Sequence, residues 1–273
     1  MRPLAIPYPA IDPVALQLGP LSVKWYGLAY VAGLLLGWMY VKRLVGDTRL
    51  WPGARPPFAP NLTDDLFIWV ALGVVIGGRL GHVLLYEPLL YLQKPLEILK
   101  VWNGGMAFHG GMLGTILAMW LFARRHAVTP LTVMDLVAAS VPFGLFFGRI
   151  ANFINAEVVG RESDVPWAMV FPGWGSLPRH PSQLYEAALE GVALFLILRW
   201  LTHRRSALST PGVVGGAFLA GYAVFRIFCE FFKLEEYGDL VEGGLPTRGM
   251  LYCIPMLAFG WWLIARGRKR APA

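Results

Sequence analysis

The sequence predicts an all-α integral membrane protein of about seven transmembrane helices, with a periplasmic N-terminus, a cytoplasmic C-terminus and a polar cavity in the outer half of the bilayer. Three observations carry this. First, 56% of the 273 residues are hydrophobic and only 15% are charged, with a mean hydropathy of +0.52, whereas soluble domains are about 25% charged. Second, apolar runs able to cross about 30 Å of hydrocarbon as helices recur along the whole chain. Third, the basic residues are unevenly shared between alternate connections, as the positive-inside bias requires.

The first 21 residues contain Pro3, Pro7, Pro9, Pro13 and Pro20. That is too many for the helical core of a cleavable signal, so an ordered periplasmic arm on the membrane surface is expected. Spans are expected near 22–41, 66–86, 104–123, 131–151, 184–201, 212–232 and 249–265. Gly77-Gly78 and Gly110-Gly111 interrupt two of them, and glycine in a span lets helix backbones approach closely. Longer connections near 43–65 and 153–181 are rich in Pro, Gly and Trp, and the short amphipathic stretch 95–102 suits an interfacial helix. No internal repeat is evident, so 1–273 reads as a single polytopic domain ending in a basic cytoplasmic tail, 266–273.

With seven spans, thirteen of the 24 Lys and Arg residues fall on one side, including Lys42, Arg43, Arg124, Arg125, Arg204, Arg205 and the tail. Eight fall on the other, so the richer side is cytoplasmic, with the N-terminus outside and the C-terminus inside. The net charge of +7 is thereby accounted for by anionic lipid, without nucleic acid. Cys229 and Cys253 both lie in apolar stretches, which excludes a disulfide scaffold and a thiolate metal cluster.

A charge inside a span costs about 2.5–3.5 kcal/mol on insertion scales. Arg79, Arg149 and Arg226 each therefore need a reason. Arg149 is followed by Asn152, Asn155, Glu157 and Gly160, the last two where the span should emerge. Tyr222, Arg226 and Glu230 are spaced i, i+4 and i+8, one polar stripe on an apolar helix. The topology sets these residues, with Tyr26 and His109, at one level in the outer half of the bilayer. Converging arginines there suit a phosphate, which guanidinium forks bind bidentately. His109, flanked by glycines in GGMAFHGGMLG, is the natural titrating group. Each also has a plainer reading: Arg79 snorkelling or capping a helix, Arg226–Glu230 as structural glue, the asparagines as interhelical hydrogen bonds.

The run GRIANFINAEVVG (148–160), together with WYGLAY (25–30), GGRLGHVLLY (77–86), GGMAFHGG (104–111), RHPSQLYEA (179–187) and Arg226…Glu230, resembles the bacterial prolipoprotein diacylglyceryl transferase family, from about residue 14 to 265. His82 stands where that family often carries an aromatic residue. The resemblance implies transfer of a diacylglyceryl group from phosphatidylglycerol to the lipobox cysteine of a preprolipoprotein signal peptide. It implies no metal or organic cofactor, and the sequence offers no ligand cluster of metal-binding spacing. On this reading Arg149 and Arg226 hold the phosphate and His109 activates the thiol. Glu230 and Tyr222 orient Arg226, Asn152 and Glu157 line the head-group site, and Tyr26 helps position lipid or peptide. Arg79, Asn155 and Gly160 complete the expected substrate-binding set. An arginine field could instead generate the thiolate, leaving His109 to bind head-group glycerol. A transporter for an anionic or lipid-like solute is the competing class. It is disfavoured because the polar residues occupy one half of the bilayer and no repeated pair of broken helices is seen.

Overall fold

The computed structural model describes residues 6–9, 11–19, 21–234 and 245–269. Residues 1–5, 10 and 20 of the expected arm and 270–273 of the expected tail lie outside the described residues. The described residues form two compact units. One comprises the described residues within 1–40 and 137–273, the other residues 41–136.

The first unit opens with small strands rather than helix. Strand β1 (Ile6–Pro7) pairs in parallel with β4 (Met169–Val170), and β2 (Val14–Leu18) forms an antiparallel hairpin with β3 (Leu21–Lys24). These two-stranded sheets are an addition to the all-α expectation, and they order the proline-rich arm. Tyr8 anchors it by donating its hydroxyl to the carbonyls of Phe153 and Ile154, at 2.7 and 2.8 Å.

Helix α1 (Trp25–Gly46) and helix α5 (Pro130–Ile154) follow the first and fourth apolar runs. Within the first unit they approach closely at glycines: a Cβ on Gly33 would stand 3.1 Å from the Cα of Gly144. A continuous helical stretch covers 182–204: α6 (Ser182–Glu186), a π-helical segment (Ala187–Ala193) and α7 (Leu194–Arg204). Helix α8 (Val213–Glu230) packs on α9 (Arg248–Arg268). Thr247 caps α9 by accepting from the amide of Met250 at 3.1 Å.

The second unit is built on α2 (Leu62–Leu85) against α4 (Phe108–Arg125), with the short α3 (Pro88–Gln93) between them. Glycines make the α2–α4 contact. A Cβ on Gly77 would fall 2.8 Å from the Cα of Gly114, and one on Gly81 would fall 2.7 Å from the Cα of Gly110. No larger residue permits that backbone approach.

Among the described residues five helices, α1, α2, α5, α8 and α9, are long and apolar enough to cross a membrane. The burial is inside-out in the way lipid solvent requires: Leu72, Val74 and Ile76 on α2 and Ile254, Trp261 and Trp262 on α9 are exposed. The other two expected segments, 104–123 and 184–201, are helical from 108 and throughout, respectively, but they carry His109 with its glycines and Glu186 with Glu190, which dilute their apolar character.

The interfacial helix expected at 95–102 is instead a pair of 3-10 turns, Pro95–Leu99 and Val101–Asn103. The cause is Arg79. Its buried guanidinium takes the carbonyls of Glu97 (2.5 Å) and Ile98 (2.9 Å), oxygens that an α-helix over 95–102 would use for its own ladder, together with those of Gly104 (2.5 Å) and Gly105 (3.1 Å) beyond it.

Candidate active site

Helix α5 ends where Asn155 leaves the helical path. Glu157 then folds back, its amide donating to the Asn152 carbonyl at 2.9 Å. That turn brings the Asn152 and Asn155 carboxamides onto the two oxygens of the Glu157 carboxylate, each at 3.3 Å. The turn is pinned from 182–204: Gln183 donates to the Glu157 carbonyl at 2.6 Å and Ser182 to that of Val158 at 3.1 Å. Gly160 follows, its amide on the His180 carbonyl at 3.0 Å. A Cβ there would meet the Phe232 carbonyl at 2.6 Å, so this passage admits only glycine.

One helical level deeper, Arg149 of α5 and Arg226 of α8 close on the same atom. The Glu186 Oε1 lies 3.2 Å from Arg149 and in a very short ion pair with Arg226. Glu190 lies 3.7 Å from Arg149 and 3.9 Å from Arg226, and Glu230 binds Arg226 at 2.7 Å. Thr247, fully buried, donates to Glu230 at 2.9 Å and so ties the α9 cap to the network. A Cβ on Gly249 would meet the Glu230 carboxyl at 2.7 Å, so a larger residue there would displace that carboxylate. Glu186 and Glu190 have no solvent exposure. Charges this deep persist only because they are paired.

The first unit thus brings together Arg149 with Arg226 and Glu230, and separately Asn152 with Asn155 and Glu157. Tyr26 sits on the first turn of α1, its hydroxyl 3.2 Å from that of Tyr30. Tyr222 stacks on Phe218 at 6.0 Å. Arg79 and His109 belong to the second unit. His109 is exposed on the first turn of α4, edge-on to Phe108 at 5.6 Å. Arg79 spends its donors on main-chain carbonyls, as above.

Sequence reasoning missed Glu186, Glu190, Gln183 and Thr247. The glutamates carried a usable signal: two acidic residues four apart in an apolar run cost as much as the arginines that were singled out. Outside the apolar segments, burial pushes the His180 imidazole below its ordinary pKa. Burial, reinforced by the Arg226 guanidinium, does the same to the Lys233 amine.

Fold and site define a multi-pass helical membrane protein that keeps two arginines and three glutamates in one buried cluster. A family model for prolipoprotein diacylglyceryl transferase matches residues 13–266. Relatives named phosphatidylglycerol–prolipoprotein diacylglyceryl transferase match almost end to end. That of Rhizobium meliloti is 52% identical over 269 residues, covering 98% of this chain and 96% of the relative. That of Phenylobacterium zucineum is 52% identical over 276 residues, covering 97% and 95%. This chain belongs to the prolipoprotein diacylglyceryl transferase family.

Proposed function

We propose that the chain transfers the diacylglyceryl group of phosphatidylglycerol to the lipobox cysteine thiol of preprolipoproteins, the first step of bacterial lipoprotein maturation. The observation that carries the chemistry is the convergence of Arg149 and Arg226, from two helices, on one carboxylate oxygen of Glu186. Two guanidiniums able to share one oxyanion can share a phosphate oxygen. The setting is an inner membrane crossed by seven spans as one domain, N-terminus periplasmic, with the polar residues opening toward the outer leaflet.

The sulfur attacks the terminal carbon of the diacylglycerol, the carbon–oxygen bond to phosphate breaks, and the electron pair leaves on the phosphate oxygen. Products are a thioether and glycerol phosphate. Arg149 and Arg226 stabilise the charge gathering on that oxygen, an interaction stronger in the transition state than in the ground state. His109 takes the thiol proton, since a free thiol with a pKa of about 8.5 is mostly protonated at neutral pH. Asn152, Asn155, Glu157 and Gly160 shape the head-group site, Tyr26 positions the substrates, and Glu230 and Tyr222 orient Arg226. Arg79 serves by shaping the 97–105 segment.

The test uses purified protein, phosphatidylglycerol and a synthetic lipobox peptide, with peptide mass and glycerol phosphate followed together. One added diacylglyceryl unit with matching glycerol phosphate, absent from a Cys→Ala peptide, is expected. Silence from folded, lipid-supplied protein would reject the assignment. A pH–rate profile of His109→Gln separates a base from an arginine field: the base role requires loss of an ionisation in the histidine range.

A further inference from the structure

The buried cluster is balanced in charge and unbalanced in hydrogen bonds. Arg149, Arg226 and Lys233, the last within electrostatic reach, stand against Glu186, Glu190 and Glu230. Yet among the described residues no protein donor comes within hydrogen-bond distance of Gln183 Oε1, Glu186 Oε2 or either oxygen of Glu190, whose guanidinium neighbours stand 3.7 and 3.9 Å away. All three side chains belong to residues without solvent exposure. At i, i+3 and i+7 they lie on one side of the 182–204 stretch, the side that meets Arg149, Arg226 and the Glu157 turn. The π-helical segment carries Glu190, and such wide turns concentrate where a helix serves function at the expense of its own regularity.

A row of acceptors buried without donors costs about 1–3 kcal/mol for each group left unsatisfied. It is retained where something else brings the donors. The two guanidiniums beside it can only donate, so they can bind a phosphate but offer no acceptor to a hydroxyl proton. Resting on the function proposed above, we propose that the Gln183–Glu186–Glu190 face is the subsite that receives the hydroxyls of a glycerol-type head group next to the arginine-bound phosphate. A neutral diol suits it better than an ammonium, because the carboxylates are already matched in charge and a further cation would sit against two guanidiniums. The same chemistry is presented by the lipid head group and by free glycerol phosphate.

The test compares phosphatidylglycerol with phosphatidylpropanol, which has the same chain and phosphate ester but no head-group hydroxyl, in detergent-purified full-length protein. Leaving-group reactivity is nearly equal, and the ratio of the two kcat/KM values is independent of the fraction of protein that is folded. Wild type is expected to prefer phosphatidylglycerol by about tenfold or more. In Gln183→Met and in Glu190→Gln that ratio is expected to fall at least threefold toward unity. Inhibition by glycerol phosphate should likewise exceed that by propyl phosphate, which reports the face filled from solution. Equal use of the two lipids by wild type, or an unchanged ratio in both variants, overturns the subsite. If folded wild type turns over neither lipid, the function assignment fails. The subsite is then decided by native mass spectrometry, where retention of phosphatidylglycerol over phosphatidylpropanol supports it and equal retention rejects it.

Discussion

Arg226 meets three carboxylates from two helical elements, and a guanidinium is the only side chain whose donors fan widely enough to do so. Arg226→Lys keeps the charge but presents a single point. We expect kcat/KM for phosphatidylglycerol to drop about a hundredfold or more with the helical circular dichroism intact. Thr247→Val removes both a helix cap and the hydroxyl on Glu230, and should cost about 1–2 kcal/mol, read as a lower thermal midpoint. His180 carries a pH consequence. Burial lowers its pKa in the folded state, so below about 6.5 the unfolded chain binds more protons and stability falls with pH. The wild-type melting temperature should therefore decline between pH 7 and pH 5 more than that of His180→Asn, and equal declines would refute the assignment.

Among the elements, the α2–α4 pair depends on glycine. Gly114→Leu would drive a side chain into the backbone of Gly73 and Gly77. Overpacking of this kind costs about 1–3 kcal/mol, occasionally more, and should appear as early thermal aggregation in detergent, with a milder effect for Gly46→Ala at the end of α1, where nothing crowds the Cβ. The glycine runs were legible in the sequence because close approach is a property of the residue itself. So were the helical stretches and the Arg226–Glu230 pair, which need only local periodicity. The 3-10 turns at 95–103 were not legible, because what unmakes the helix there is a guanidinium roughly twenty residues earlier. Glu186 and Glu190 escaped notice because their meaning lies in two other helices: alone, each is an acid in an apolar run.

For the whole molecule, the proposed seven-span topology makes a labelling prediction. Cys229 and Cys253 are buried, so the native background toward a membrane-impermeant maleimide should be low. Asp164→Cys should label in intact spheroplasts and Arg55→Cys only after lysis. The reverse pattern would invert the orientation, and with it the side from which lipid is taken.

Arg79 governs the 97–105 segment through main-chain oxygens, which every amino acid possesses. The shape of that segment is thus insulated from the spelling of most of its residues. Of the positions it holds, Ile98 is gripped by its backbone alone, Glu97 also pairs with Lys100 at 2.5 Å, and Gly104 and Gly105 are fixed by their positive φ angles. A change of letter at position 98 leaves that grip intact, whereas one at position 79 releases the whole segment at once.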